Sequence, residues 1–164
     1  MEIEILRKVK CPENVIKHSQ AVYKKAMNMA QDYEDVNIEL IKTGALLHDI
    51  GRSKTHGISH AVEGAKRAKE LGFGKDVCNI IERHIGAGID EKESVELNLP
   101  KKSYIPQTLE EKIVAHSDNL ISGDKEVDID FVIAKIRRKV ENPEPKIERL
   151  IALDEELKNR KRNE

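Results

Sequence analysis

The chain has 164 residues, and its 29 Lys plus Arg against 30 Asp plus Glu leave a net charge of −1, which argues against nucleic acid held along a basic track. That length suits one domain with a core of its own, and no stretch approaches the ~20 apolar residues of a membrane span, so no membrane partner is expected. Aromatics make up only 3% and Trp is absent, so the core must be built from Ile, Leu, Val and Ala.

The acidic start, Met1-Glu2-Ile3-Glu4, lacks the apolar run of a secretory signal, and a soluble, cytoplasmic protein is expected. Residues 3–9 suit a short first helix. Cys11 and Cys78 are too few for a disulfide framework and are expected as small buried hydrophobes. Pro12 fits the first turn of a second helix, in which Val15, His18 or Ser19, Val22, Ala26 and Met29 recur at helical spacing to about residue 32. His18 thus faces inward, where a hydrogen-bonded core histidine is the plain alternative to a ligand. Asn37 can cap a third helix over 38–48, in which Gly44 and Ala45 permit close packing.

That helix closes on Leu46-Leu47-His48-Asp49-Ile50-Gly51-Arg52. Adjacent helical residues point about 100° apart. His48 and Asp49 therefore converge on one point only where the helix is ending, and Gly51 suggests such an ending. Residues 52–59 suit a loop, and Ser59 can cap a helix from His60 through Gly64 and Ala68 to Leu71, stopped by Gly72 and Gly74. The next helix carries Val77, Ile80, Ile81 and His84 and ends at Gly86 and Gly88. Residues 89–107, with Pro100, Pro106 and Lys101-Lys102, suit a long surface loop or a lid.

Thr108 and Glu111 form a capping box for a helix with Ile113, Val114, His116, Asp118 and Ile121. Asp128 can cap a helix with Ile129, Val132, Ile133, Ile136 and Val140. After Pro143 and Pro145 a last amphipathic helix holds Ile147, Leu150, Ile151 and Leu157, and the polar end, 158–164, is expected to fray. No strand pattern stands out. The fold class is therefore all-α: one compact helical domain over 1–142, with an additional C-terminal helix over 143–164 packing on it and offering a surface for a homodimer or other partner.

The inward polar residues are His18, His48, Asp49, His60, His84 and Asp118. Burying them unpartnered would be expensive, and a divalent metal resolves that cost. His18, His48, Asp49 and Asp118 suit one ion, His60 and His84 a second, and the two oxygens of Asp49 can bridge both.

In order, type and helix placement this pattern resembles the HD superfamily of metal-dependent phosphohydrolases: His18, then His48-Asp49, then Asp118 in Lys112-Ile113-Val114-Ala115-His116-Ser117-Asp118-Asn119. His48-Asp49-Ile50-Gly51 matches the HDIG subgroup. His60 followed by Gly64 resembles the His-x-x-x-Gly element of two-metal members, including the HD-GYP type. His84, in Glu82-Arg83-His84-Ile85-Gly86, resembles their next metal-binding His and the matching stretch of bacterial diadenosine tetraphosphate hydrolases. The Gly-Tyr-Pro element is absent, which speaks against cyclic dinucleotide specificity.

The resemblance implies an HD-type helical domain holding one or two divalent ions, Mn, Fe, Co, Ni or Zn. It implies hydrolysis of a small phosphate ester or nucleotide through a metal-activated water, with Asp49 catalytic. Arg52 stands where two-metal relatives carry Lys or Arg, so it is expected to contact phosphate and assist catalysis. Lys54, in the same loop, is a further candidate substrate contact. His56 is read as an exposed loop residue, His116 as a helix-packing or supporting His, and Lys101 and Lys102 as solvated. A di-iron oxygenase of the HD type and a non-catalytic nucleotide- or metal-binding sensor are the alternatives.

Overall fold

The computed structural model describes residues 1–163; Glu164, the last residue of the tail expected to fray, lies outside the described residues. Among the described residues nine helices follow one another: α1 (Glu2–Lys8), α2 (Glu13–Ala30), α3 (Ile38–Leu47), α4 (His60–Glu70), α5 (Lys75–Glu82), α6 (Glu91–Glu96), α7 (Leu109–Asn119), α8 (Ile129–Lys139) and α9 (Glu144–Asn163). The all-α expectation holds. The caps are where short polar side chains stand before apolar periodic runs. Asn37, Thr108 and Asp128 each accept from the backbone N–H three residues on. Ser59 occupies the cap position of α4 but makes no such bond.

One core cluster joins Val22 and Ala26 of α2, Ile41 of α3, Ile80 of α5 and Ile113 of α7 to Leu153 and Leu157 of α9. A second joins Leu6, Ile16, Leu47, Ile50, Ala68 and Ile81. Leu47 and Ile50 are both fully buried in it, so the turn carrying His48 and Asp49 is clamped on either side. Cys11 is buried and Cys78 half-buried, and both are free thiols.

Four local features depart from expectation. A two-residue antiparallel hairpin, β1 (Ile121–Ser122) and β2 (Lys125–Glu126), follows α7, turning at Gly123 with φ +62°. Strands of two residues leave no alternation to detect. Residues Ile50–Ser53 form a short 3-10 turn, not loop. His84 lies beyond α5, whose C-cap is Arg83. The stretch 89–107 contains α6, capped by Asp90.

That stretch is strapped down. Ile89, Leu99 and Tyr104 are buried with Val62, Ile89 and Tyr104 exchange backbone hydrogen bonds, and Arg149 of α9 donates to Gly88 O at 2.7 Å. It does not border the large pocket described below, so the lid expected there is not found. Helix α9 runs to Asn163, and along it Lys158 pairs with Asp154 and Lys161 with Asp32. Among the described residues, no helix is long and apolar enough to cross a membrane.

Candidate metal centre

Helix α3 stops at Leu47. His48 is its C-cap and Asp49 precedes the 3-10 turn, so the two adjacent side chains escape helical divergence and face one point. Helix α4 begins with His60, His84 follows α5, His18 comes from the middle of α2 and Asp118 from the end of α7. Five separate segments thus deliver six side chains to one place.

The distances sort them into two groups. Asp118 Oδ1 lies 2.8 Å from His18 Nε2 and 3.4 Å from His48 Nε2. Asp49 Oδ2 faces the same pair, 3.7 Å from His18 Nε2 and 3.6 Å from His48 Nε2. Asp49 Oδ1 turns the other way, 3.2 Å from His60 Nε2 and 3.3 Å from His84 Nε2. The Asp49 carboxylate therefore straddles two nests of imidazole nitrogen.

Each imidazole is fixed by its other nitrogen. His18 Nδ1 donates to Gly123 O at 2.6 Å, His48 Nδ1 to Ala45 O at 2.7 Å, His60 Nδ1 to Gly57 O at 2.8 Å and His84 Nδ1 to Ile81 O at 2.6 Å. A carbonyl only accepts, so every Nδ1 carries a proton and every Nε2 faces into the cluster, where it can take a second proton or a cation. His60 Nε2 and His84 Nε2 then meet at 3.1 Å, two acceptors with no proton of their own between them. The buried Nε2 of His48 also lacks a hydrogen-bond partner.

These are the marks of a cation site. Two donors ~2.1 Å from one ion and at right angles to each other stand ~3 Å apart. Four of the separations above, 2.8–3.4 Å, lie near that edge, and the donor set of imidazole nitrogen with carboxylate oxygen suits a borderline divalent metal. The residues present fit the group.

Burial opposes charge on His48, yet the Asp49 and Asp118 carboxylates overcome it and push its pKa up to about 9. Burial likewise pushes against ionising Asp49 and Asp118, but the surrounding histidines, His48 foremost, hold both well below the usual carboxylate range. His84 moves down, through burial first, with the charge of His48 adding to it. Without metal, His48 thus holds a second proton between the two carboxylates.

The six expected ligand residues are all brought together. Arg52 joins them: its Nε sits 3.1 Å from Asp49 Oδ2 and its side chain borders the pocket. Lys54 does not. It is exposed, is drawn to Glu63 of α4 at 2.7 Å, and does not line the pocket. His56 is exposed and lines the rim. His116 supports the packing as expected, its Nε2 lying 2.8 Å from Asp154 Oδ1 on α9. Lys101 pairs with Glu91 and Lys102 with Glu82.

The cluster opens into a cavity of about 620 Å³, of which α8 forms a wall through Phe131, Val132, Lys135, Ile136, Lys139 and Val140. Sequence reasoning missed this wall. The available signal was a lysine pair at i, i+4 inside the apolar stripe of α8.

Residues 15–123 match the HD domain family. An uncharacterized protein of Methanocaldococcus jannaschii is 51% identical over 153 residues, covering 91% of this chain and 90% of that one. The tRNA (cytidine(56)-2'-O)-methyltransferase of Picrophilus torridus is 44% identical over 135 residues, 82% of this chain, and the chain spans only 39% of that protein. The HD domain of the L. monocytogenes phosphodiesterase PgpH superposes with a TM-score of 0.58 over 93% of this chain and 94% of that one, at 19% identity, which is a likeness of fold. The family match takes in every member of the His/Asp cluster and spans more than half of the sequence, so the chain belongs to the HD domain family.

Proposed function

We propose that the protein is a metal-dependent phosphohydrolase that splits a phosphate ester or anhydride of a small, nucleotide-like substrate. The observation that carries this is the orientation of the four imidazoles. Their Nδ1 protons are spent on backbone carbonyls, and their Nε2 lone pairs converge on the two oxygens of Asp49 and on Asp118. Such an arrangement has no use as a hydrophobic core.

His18, His48, Asp49 and Asp118 would hold one divalent ion, and His60, His84 and the second Asp49 oxygen another. Once bound, divalent ions supply an acidified water as nucleophile and neutralise phosphoryl oxygen charge. The chain's own groups do the rest. Asp49 fixes both positions from one carboxylate. Arg52, anchored on Asp49 and facing the pocket, pairs with a phosphoryl oxygen. No covalent nucleophile is needed. Cys11, the thiol near this turn, is buried against Ile50 O, and burial together with Asp49 pushes its pKa up to about 11.

The test is turnover of bis-p-nitrophenyl phosphate and of a nucleotide panel by protein stripped with EDTA and reloaded with Mn²⁺, Co²⁺ or Ni²⁺. Activity that returns with metal supports the proposal. Product formed only with reduced iron and oxygen identifies an oxygenase instead, and no turnover with any metal identifies a sensor. Elemental analysis of His84→Ala should show the metal-to-protein ratio falling from two towards one. An unchanged ratio removes the second ion.

A further inference from the structure

We propose that α8 is the substrate-selecting wall of the pocket, and that it selects nucleotides carrying a second phosphate besides the one placed at the His/Asp cluster. This rests on the phosphohydrolase reading and adds the substrate class to it.

Three observations carry it. First, the pocket is far larger than a phosphate needs. Its volume of about 620 Å³ falls within the ~300–1,000 Å³ range of small-molecule sites. Second, the α8 wall has a composition of its own. Phe131, Val132, Ile136 and Val140 give it an apolar face, and Phe131 remains 44% exposed there. An exposed ring on a pocket wall is a platform for a nucleobase. Third, Lys135 and Lys139 line the same pocket one helical turn apart, and among the described residues neither forms an ion pair. Like charges at that spacing repel in the free helix. An anion between them turns the repulsion into two contacts.

Arg52 cannot serve that second anion, because Asp49 already holds it at the metal cluster. The pocket therefore combines the His/Asp cluster and Arg52 with a second pair of cations, Lys135 and Lys139, set beside the apolar face of α8. A sugar phosphate leaves the apolar face unused, and a nucleoside monophosphate leaves the lysines unused. A dinucleotide, a nucleoside bisphosphate or the end of an oligonucleotide uses both. The family match ends at residue 123, so this wall is built by a part of the chain outside the shared HD core.

The experiment compares AMP, adenosine 3',5'-bisphosphate, the dinucleotide pApA and a ten-residue oligoadenylate. The proteins are the full-length wild type, the double variant K135Q/K139Q, F131A and, as a charge control from the exposed side of α8, R138Q. Each is loaded with Mn²⁺. In the wild type the substrates with a second phosphate should be favoured over AMP at least tenfold, through KM and not kcat. K135Q/K139Q should erase that preference, F131A should raise KM for all four, and R138Q should keep the preference. Equal KM for AMP and pApA in the wild type, or a preference that survives K135Q/K139Q, overturns the proposal. Comparing oligoadenylate with pApA shows whether the second phosphate comes from an RNA end or from a free small molecule. Calorimetric binding of AMP and pApA to the Asp49→Asn protein, with and without K135Q/K139Q, separates the two claims. Tighter pApA binding that is lost with the lysines keeps the α8 wall even where no hydrolysis occurs. Equal binding of AMP and pApA removes it even where hydrolysis does.

Discussion

Gly51 and Gly64 set how near His60 comes to Asp49. A Cβ on Gly51 would lie 1.8 Å from His60 O and 2.6 Å from Gly64 N, and one on Gly64 would lie 3.0 Å from Gly51 N. The 3-10 turn and the start of α4 thus touch backbone to backbone, and His60 Nε2 reaches Asp49 Oδ1 only across that contact. Gly51→Ala must push the two segments apart. Expected are a loss of about 1–3 kcal/mol of stability in urea unfolding and a metal content falling towards one ion. A variant with unchanged urea midpoint and two ions shows that the contact is dispensable. In the sequence, Gly51 stands out only as a helix breaker. Yet its φ is not positive, and what it supplies is room for a neighbour 9 residues on. That neighbour is tertiary, so local sequence rules do not reveal it. The gathering of the inward His and Asp residues was legible for the opposite reason. A His or Asp turned inward is costly without a partner, and six of them at inward positions leave few alternatives. Asp49→Asn keeps the shape of the side chain but loses the charge both nests share. Hydrolysis should fall to background while far-UV circular dichroism stays that of the parent. Retained turnover shifts the catalytic role elsewhere.

Helix α9 lies outside the matched residues, yet its apolar face closes the first core cluster. Ile147, Leu150, Leu153 and Leu157 are all buried, the last two in that cluster, and Tyr33 of the α2–α3 connection donates to Leu157 O at 2.8 Å. His116 meets Asp154 two residues before Asp118, so α9 also steadies the end of α7 that presents this carboxylate. Each buried aliphatic contributes roughly 1.5–3 kcal/mol, and four together rival the roughly 5–15 kcal/mol stability of a whole domain. A chain ending at residue 142 is therefore expected not to fold. A cooperative thermal transition in that truncation, with helical content scaled to its length, shows the first 142 residues to be self-sufficient. The i, i+3, i+4 spacing made α9 visible in the sequence, but which helices it covers depends on the path of the preceding chain. Helix α8 shows the same limit. Its cap and stripe are plain in the residues, and its place over the His/Asp cluster follows the hairpin at Gly123, too short to leave a pattern.

The molecule as a whole carries a nearly neutral charge, but the charge is not evenly disposed: two carboxylates are drawn in among four imidazoles, and the balance at that point depends on a cation. In the metal-free protein that cation is the proton on His48. Its pKa is raised to about 9 in the folded chain, so its contribution is fully present below the unfolded value near 6.5 and is lost as the pH climbs through about 9. Asp49 and Asp118 are shifted down, so their contribution is present above the ordinary carboxylate range and is lost as the pH falls below it. Metal-free protein should accordingly be most stable in mildly acidic solution and lose as much as roughly 3 kcal/mol on the way to pH 9. A divalent ion needs the same lone pair, so its binding expels the His48 proton. Below pH 9, affinity should then rise about tenfold for each pH unit. The loaded protein gains stability by mass action as that affinity rises. Urea midpoints with EDTA and with excess Mn²⁺, taken from pH 6 to pH 9, should therefore diverge, the first falling while the second holds or climbs. Parallel curves would mean that no proton leaves the cluster on metal binding, and the four inward lone pairs would then have to answer to something other than a metal.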